Sequence, residues 1–258
     1  MRMARGAGKG EGLMCTVIVA VPEAGDEPVR LIAVRDEDPG REWDPLGAWW
    51  PQTHPGAVGV RDRRAGGAWL AADAEGRRLA VVLNREDLSG RTDDEVTSRG
   101  GLALESIAGR SPAEVPTTRG FNLVEVGPEG VRVVSWDGLR RREQRLTPGI
   151  HMIAHDEVDD RGTARIAAWL DRFREAGPDV GDRFGAWLDV IDESAALPPQ
   201  DDRAIIRDNR PFGHPTLSLL LCTATVGRDG VEVHYGAFDS PGRWQREALE
   251  DDGVAVAQ

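Results

Sequence analysis

Met14-Cys15-Thr16-Val17-Ile18-Val19-Ala20-Val21 is the stretch on which the reading of this chain turns. From Thr16 onward it is almost entirely β-branched and shows no polar alternation. Branched side chains are stiff and suit a pleated backbone. A continuous apolar run of this length is the pattern of a strand covered on both faces. Order is therefore predicted to begin abruptly at Cys15. Residues 1–13 are the opposite case, with glycine at positions 6, 8, 10 and 12 and almost nothing to bury. They read as a disordered extension, which translation starting at Met14 would omit. Lys9 lacks both the preceding strand and the following Ser or Thr that a phosphate loop requires.

Working outward, residues 22–28 hold two prolines and read as a turn, and residues 29–34 read as a second strand. The pair predicts a hairpin. Its second strand returns to the start of the first, so Arg35 and Asp36 should lie beside Cys15. Short strands are predicted over 57–60, 68–72 and 78–83, the last ending at Asn84. Residues 99–109 have helical spacing. Strands over 121–126 and 131–136 flank Gly127-Pro128-Glu129-Gly130, a hairpin turn. A further strand is predicted over 150–154. Ile166, Trp169, Leu170 and Phe173 share one helix face, and Phe184, Trp187, Leu188 and Ile191 share another. A last hairpin covers 216–226 and 231–235. Trp43, Trp49 and Trp50 fall in loop-like sequence close to Arg35 and could wall a pocket.

Strands, one helix, strands, two helices and strands follow one another without regular βαβ alternation. That order predicts an α+β domain of antiparallel sheets covered by helices. It spans residues 14–242 as a single unit, followed by a frayed polar tail over 243–258.

The chain has 258 residues, 40% of them hydrophobic, enough for one sizeable core. Its 44 acidic against 32 basic residues give a net charge of −12, which disfavours nucleic acid and anionic membrane surfaces as partners. No apolar run reaches the ~18 residues of a membrane helix, and no apolar segment follows the basic N-terminus, so a cytoplasmic location is expected. Cys222 lies in the apolar run Leu219-Leu220-Leu221-Cys222 and reads as a small buried hydrophobe. His151 and His155 sit on or just after a strand, where four residues span ~13 Å, too far for one metal. Asp156, Glu157, Asp159 and Asp160 read as a solvated acidic loop. No metal or other cofactor is expected.

Cys15 carries the chemistry in this reading. A cysteine left first in the chain by methionine removal has a thiol nucleophile and an α-amine that serves as its own general base. No histidine is then needed, and none lies near Cys15 in sequence. Arg35 would favour the thiolate and Asp36 would orient the amine.

The ordered set of Met14-Cys15, Val34-Arg35-Asp36-Glu37, Trp43, Gly66-Gly67-Ala68-Trp69-Leu70, Leu83-Asn84, Gly120-Phe121-Asn122-Leu123 and Thr147-Pro148-Gly149 resembles the NRDE family, also called the transport and Golgi organisation 2 family. The resemblance runs from Met14 to about residue 160 and more weakly through 211–235. It implies a four-layer α-β-β-α sandwich of the N-terminal nucleophile hydrolase type. In the related bile-salt and penicillin acylases an N-terminal cysteine attacks an amide, flanked by an arginine and an aspartate, with asparagines holding the oxyanion. By that resemblance Cys15 is the nucleophile, Arg35 and Asp36 are its supports, and Asn84 is an oxyanion donor. Trp43, Trp69, Asn122 and His155 are candidates to touch a small amide or apolar ligand. Val34 stands where the motif has its first asparagine, and Ala154-His155 stands where members carry Ser-Asn. The resemblance therefore implies two functions, a cysteine amidohydrolase or a non-catalytic carrier of haem or lipid on the same fold.

Overall fold

The computed structural model describes residues 15–23, 27–177 and 184–251. The predicted disordered extension lies outside the described residues, as does Met14. Two antiparallel sheets make up the centre. The five-stranded sheet has the order β10-β1-β2-β11-β12, from β1 (Thr16–Val21), β2 (Val29–Glu37), β10 (Gly149–Ile153), β11 (Leu217–Gly227) and β12 (Gly230–Ala237). The seven-stranded sheet runs in sequence order through β3 (Trp43–Gly47), β4 (Ala57–Asp62), β5 (Ala68–Asp73), β6 (Arg78–Asn84), β7 (Phe121–Gly127), β8 (Gly130–Trp136) and β9 (Arg141–Arg145).

The alternation along β1 shows how the layers stack. Val17 and Val19 join the core between the sheets, together with Leu31 and Ala33 of β2 and much of the seven-stranded sheet. Ile18 and Ala20 point the other way, into a second core with Ile32, Val34 and the helices α2 (Ala164–Ala176) and α3 (Gly185–Ala195). That is the period of two expected of a strand. It explains the missing polar alternation, because both faces are covered. Helix α1 (Gly100–Ile107) covers the outer face of the seven-stranded sheet, where Ser106 Oγ donates to Glu125 of β7 at 2.7 Å. The result is the four-layer α-β-β-α sandwich.

Local chemistry fixes the connections. Gly127 pairs with Gly130 in the β7–β8 turn, and Gly130 has φ 101°, open to glycine at little cost. Helices α2 and α3 meet through Phe173 and Trp187, whose rings stand edge to face at 5.8 Å. Two strands were not assigned by the sequence reading. Trp43, expected in a loop, opens β3, and the highly charged Arg141-Arg142-Glu143-Gln144-Arg145 forms β9. The tail also differs from expectation at its start. Trp244 packs edge to face on Phe238 at 5.7 Å, and Leu249 is buried in α4 (Ala248–Asp251). Among the described residues no helix is long and apolar enough to cross a membrane.

Candidate functional site

β1 and β2 pair with Thr16 opposite Val34, so one further step brings Cys15 opposite Arg35. The hairpin thus delivers the juxtaposition that its sequence predicts. Cys15 is buried, and the Asp36 backbone N–H donates to its Sγ at 3.4 Å. Sγ in turn lies 3.7 Å from the Asp36 carbonyl oxygen, a long thiol contact.

The Asp36 side chain goes elsewhere. Asp36 pairs with Ser218 of β11, and its Oδ1 accepts from the Ser218 hydroxyl at 2.6 Å. Burial pushes the Asp36 carboxyl up to about 6 against the opposing charges of Arg165 and Arg207. Arg165, on α2, is fully buried, and its Nη1 donates to Thr16 Oγ1 at 2.8 Å. Burial lowers the Arg165 guanidinium to about 10. Asp36 Oδ2 is buried without a hydrogen-bond partner. The strand therefore presents Arg35 on the thiol's side and the Asp36 carboxylate toward the helices.

Burial pushes the Cys15 thiol up to about 12, and the Asp36 charge adds to this. The hydrogen bond from Asp36 and the charge of Arg35 act in the opposite direction but are outweighed. Arg35 does favour the thiolate, as expected from sequence, but burial wins in the chain as it stands. Desolvation of a group this deep exceeds the pull of one guanidinium that is itself shared. Arg35 Nη2 donates to Glu37 at 3.4 Å, and its guanidinium lies 5.8 Å from the Trp43 ring centre.

Cys15, Arg35 and Asp36 line a cleft of about 460 Å³. Asn84 and Val82, two apart on β6 and so on one face, line it as well, as do Trp69 and the segment from Val96 to Gly100 that leads into α1. Bulges shape it from both sheets. In the β2–β11 pairing the register shifts between Ser218 and Leu220, opposite Asp36 and Arg35. In the β4–β5 pairing Val60 faces Leu70 and Arg61 faces Ala68, which leaves Trp69 as the extra residue. A bulge lets neighbouring residues point into the same space, and here Ala68 and Trp69 both do.

Three sequence candidates lie apart from the cleft walls. Asn122 pairs with Leu83 and so faces away from Asn84. Its Nδ2 donates to the carbonyls of Ala154 and Asp156 at 2.9 and 2.8 Å, and its Oδ1 accepts from Ser135 and Arg85. Its two donors hold the loop after β10, and its acceptor is taken by Ser135 and Arg85. His155 is drawn to Asp156 at 3.1 Å in that same loop. Trp43 donates from its indole N–H to the Tyr235 hydroxyl at 2.8 Å and reaches the site only through Arg35. Trp50 is also committed elsewhere, to the Gly66 carbonyl at 2.8 Å.

Residues that the sequence did not single out supply much of the wall: Arg41, Asp62, Asp93, Arg99 and Arg119, beside Glu37 of the quoted motif. They come from strand ends and loops scattered between positions 41 and 119, with no local pattern to link them. Nine of the nineteen lining residues are charged. Among the described residues no three His, Cys, Asp or Glu side chains gather as a metal site.

A family model described as transport and Golgi organisation 2 matches residues 14–177. No curated protein matches the chain.

Proposed function

The chain belongs to the transport and Golgi organisation 2 family, and from that premise we propose that it is a thiol amidohydrolase whose nucleophile is Cys15 at a free amino terminus. The observation that carries this reading is the cleft itself, which brings Cys15, Arg35, Asp36 and Asn84 together from three strands.

The chemistry runs through Cys15 alone. The thiol passes its proton to the neighbouring α-amine, which has a reference pKa of about 7.7–8.0. Sulfur then attacks the amide carbon. The C–N bond breaks as the amine leaves with a proton returned from the α-ammonium, and an acyl thioester remains on Cys15. Water hydrolyses the thioester with the amine again as base, releasing the acid and restoring the thiol. Asn84, whose amide makes no hydrogen bond among the described residues, is the proposed oxyanion donor, a role worth about 3 kcal/mol.

Asp36 supports the same scheme. Its unpartnered Oδ2 is a buried acceptor, and its residue is bonded to Cys15 through N–H. A cationic amino terminus at Cys15 would give that oxygen a partner. It would also oppose the burial that holds the thiol at about 12 when residues precede it.

The rival reading, a carrier of haem or an acyl conjugate, asks for an apolar cavity. The charged walls of this cleft weigh against it.

The test compares protein beginning at Cys15, protein beginning at Met1 and the Cys15→Ala variant of the short form, each with a panel of N-acyl amides. Turnover by the short form alone, with an acyl adduct of matching mass on Cys15, is the expected result. Equal turnover by Cys15→Ala would end the proposal.

A further inference from the structure

Most charges around the cleft are matched. Arg35 faces Glu37 at 3.4 Å, Arg41 pairs with Asp62 at 2.5 Å, and Arg119 pairs with Asp93 at 2.7 Å. Asp36 is balanced from behind by Arg165 and Arg207. Arg99 is different. One Nη donates to the Gly120 carbonyl at 2.8 Å, and no carboxylate lies within ion-pair distance among the described residues. Burial lowers its pKa, and it feels the charges of Glu37 and of Cys15 itself, so it lies on the nucleophile's side of the cleft. Arg99 is half-buried, and a cation partly withdrawn from water without a counter-ion is costly to keep unless something supplies one.

Two further donors in the same walls have no acceptor. Trp69 is 6% exposed, and its indole N–H has no hydrogen-bond partner. Arg35 is 3% exposed, and its Nη1 has none. Arg99 is also the residue on which α1 starts, so the positive end of that helix adds to the same region. The helix start is held against the β4–β5 turn, since a Cβ on Gly67 would come within 2.3 Å of the Gly100 backbone.

We propose that the amide taken by this cleft carries a carboxylate, bound by Arg99 with Trp69 Nε1 and Arg35 Nη1 as further donors. The amide part rests on the hydrolase reading above; the carboxylate part rests on these unsatisfied donors alone. With Asp36 balanced by Arg165 and Arg207, five arginines face three acids along the cleft, so its walls favour a negatively charged ligand. An N-acyl amino acid is the chemical class that joins both features.

Binding is measured without turnover, on the Cys15→Ala variant, by ligand-observed NMR. The probes are N-acetylglycine and its neutral counterpart N-acetylglycinamide. The acid should bind at least tenfold more tightly, a preference that falls as salt rises. Arg99→Gln should bring the acid down to the level of the amide. Trp69→Phe keeps the ring, removes the N–H, and should weaken the acid severalfold with little effect on the amide. It serves as the decisive variant should Arg99→Gln not fold. Arg145→Gln, on the exposed edge strand β9 and outside the cleft, should leave the tenfold preference in place. Equal binding of the two probes, or no binding of either, overturns the proposal. So does a preference that survives Arg99→Gln and Trp69→Phe. Acid-selective binding by a wild-type short form that cleaves nothing would sink the hydrolase reading and leave this one standing.

Discussion

Asp36 touches Cys15 with its backbone and Ser218 with its carboxylate, on opposite sides of one strand. The contact to sulfur is a main-chain contact, so it is kept whatever the side chain. The carboxylate instead titrates within the layer between sheet and helices.

That separation sets a pH signature. The folded Asp36 carboxyl is raised from 3.8 to about 6, so the folded state binds this proton more tightly than the unfolded chain does. Its contribution to stability is fully present below 3.8 and is lost as pH rises through 6. A rise of that size corresponds to about 3 kcal/mol. Urea midpoints taken from pH 4 to 7.5 should show this component fall in the wild type and vanish in Asp36→Asn. A wild-type profile indistinguishable from that of the variant would contradict the assignment.

Arg165 is the buried partner in the same layer. Arg165→Met should cost about 3–5 kcal/mol, because Asp36 and Thr16 lose their cation. Adding Asp36→Asn to that background should recover part of the loss. A double-mutant cycle with no coupling would show that the two do not interact.

The thiol of the chain that retains its first fourteen residues should be close to inert. With its pKa near 12, alkylation of Cys15 by iodoacetamide at pH 7.5 should be orders of magnitude slower than for a free cysteine thiol of pKa about 8.5. In protein beginning at Cys15 the rate should rise sharply. Peptide mass mapping of the alkylated protein reads both.

His151 of β10 and Asp159 of the loop that follows make a pH-dependent pair, with Nδ1 2.9 Å from the carboxylate. The hydrogen bond with Asp159 raises the His151 pKa above 6.5 despite burial. Its contribution is therefore full below 6.5 and lost as pH rises through the higher folded value. At about 1 kcal/mol, it should appear as a fall in thermal midpoint through the neutral range that His151→Ala abolishes.

Trp187, nearly fully buried against Phe173 and Phe184, tests the helix layer. Trp187→Ala should destabilise by about 3–5 kcal/mol in urea unfolding. A change below about 1 kcal/mol would mean that the layer is not packed as described.

What the sequence revealed follows a physical line. Strands covered on both faces, such as β1, announce themselves by composition, and the hairpin from β1 to β2 then placed Arg35 and Asp36 beside Cys15 without further help. The two strands missed in the sequence reading, β3 and β9, are the two edges of the seven-stranded sheet. Edge strands are kept from pairing with other chains by proline and charge, here Pro45 and the run from Arg141 to Arg145, and these are the features that disguise a strand. Within the site, residues on paired strands were legible, while Arg99 and Arg119 were not, since only the fold brings their segments together. Asn122 shows the reverse error. It sits in a recognisable motif, but the parity of β7 turns it toward the Ala154 loop.

The contact between Gly67 and Gly100 joins the β4–β5 turn to the first turn of α1, backbone on backbone, with no side chain between them to slide. Two of the cleft's walls are thereby one rigid piece. On the proposed reading a ligand passes a rim where Arg41 is held by Asp62 and the exposed Arg64 turns about its own bonds in picoseconds to nanoseconds. An entrance of that kind sorts molecules by charge at the moment of encounter, and its throughput should respond to ionic strength far more than to solvent viscosity.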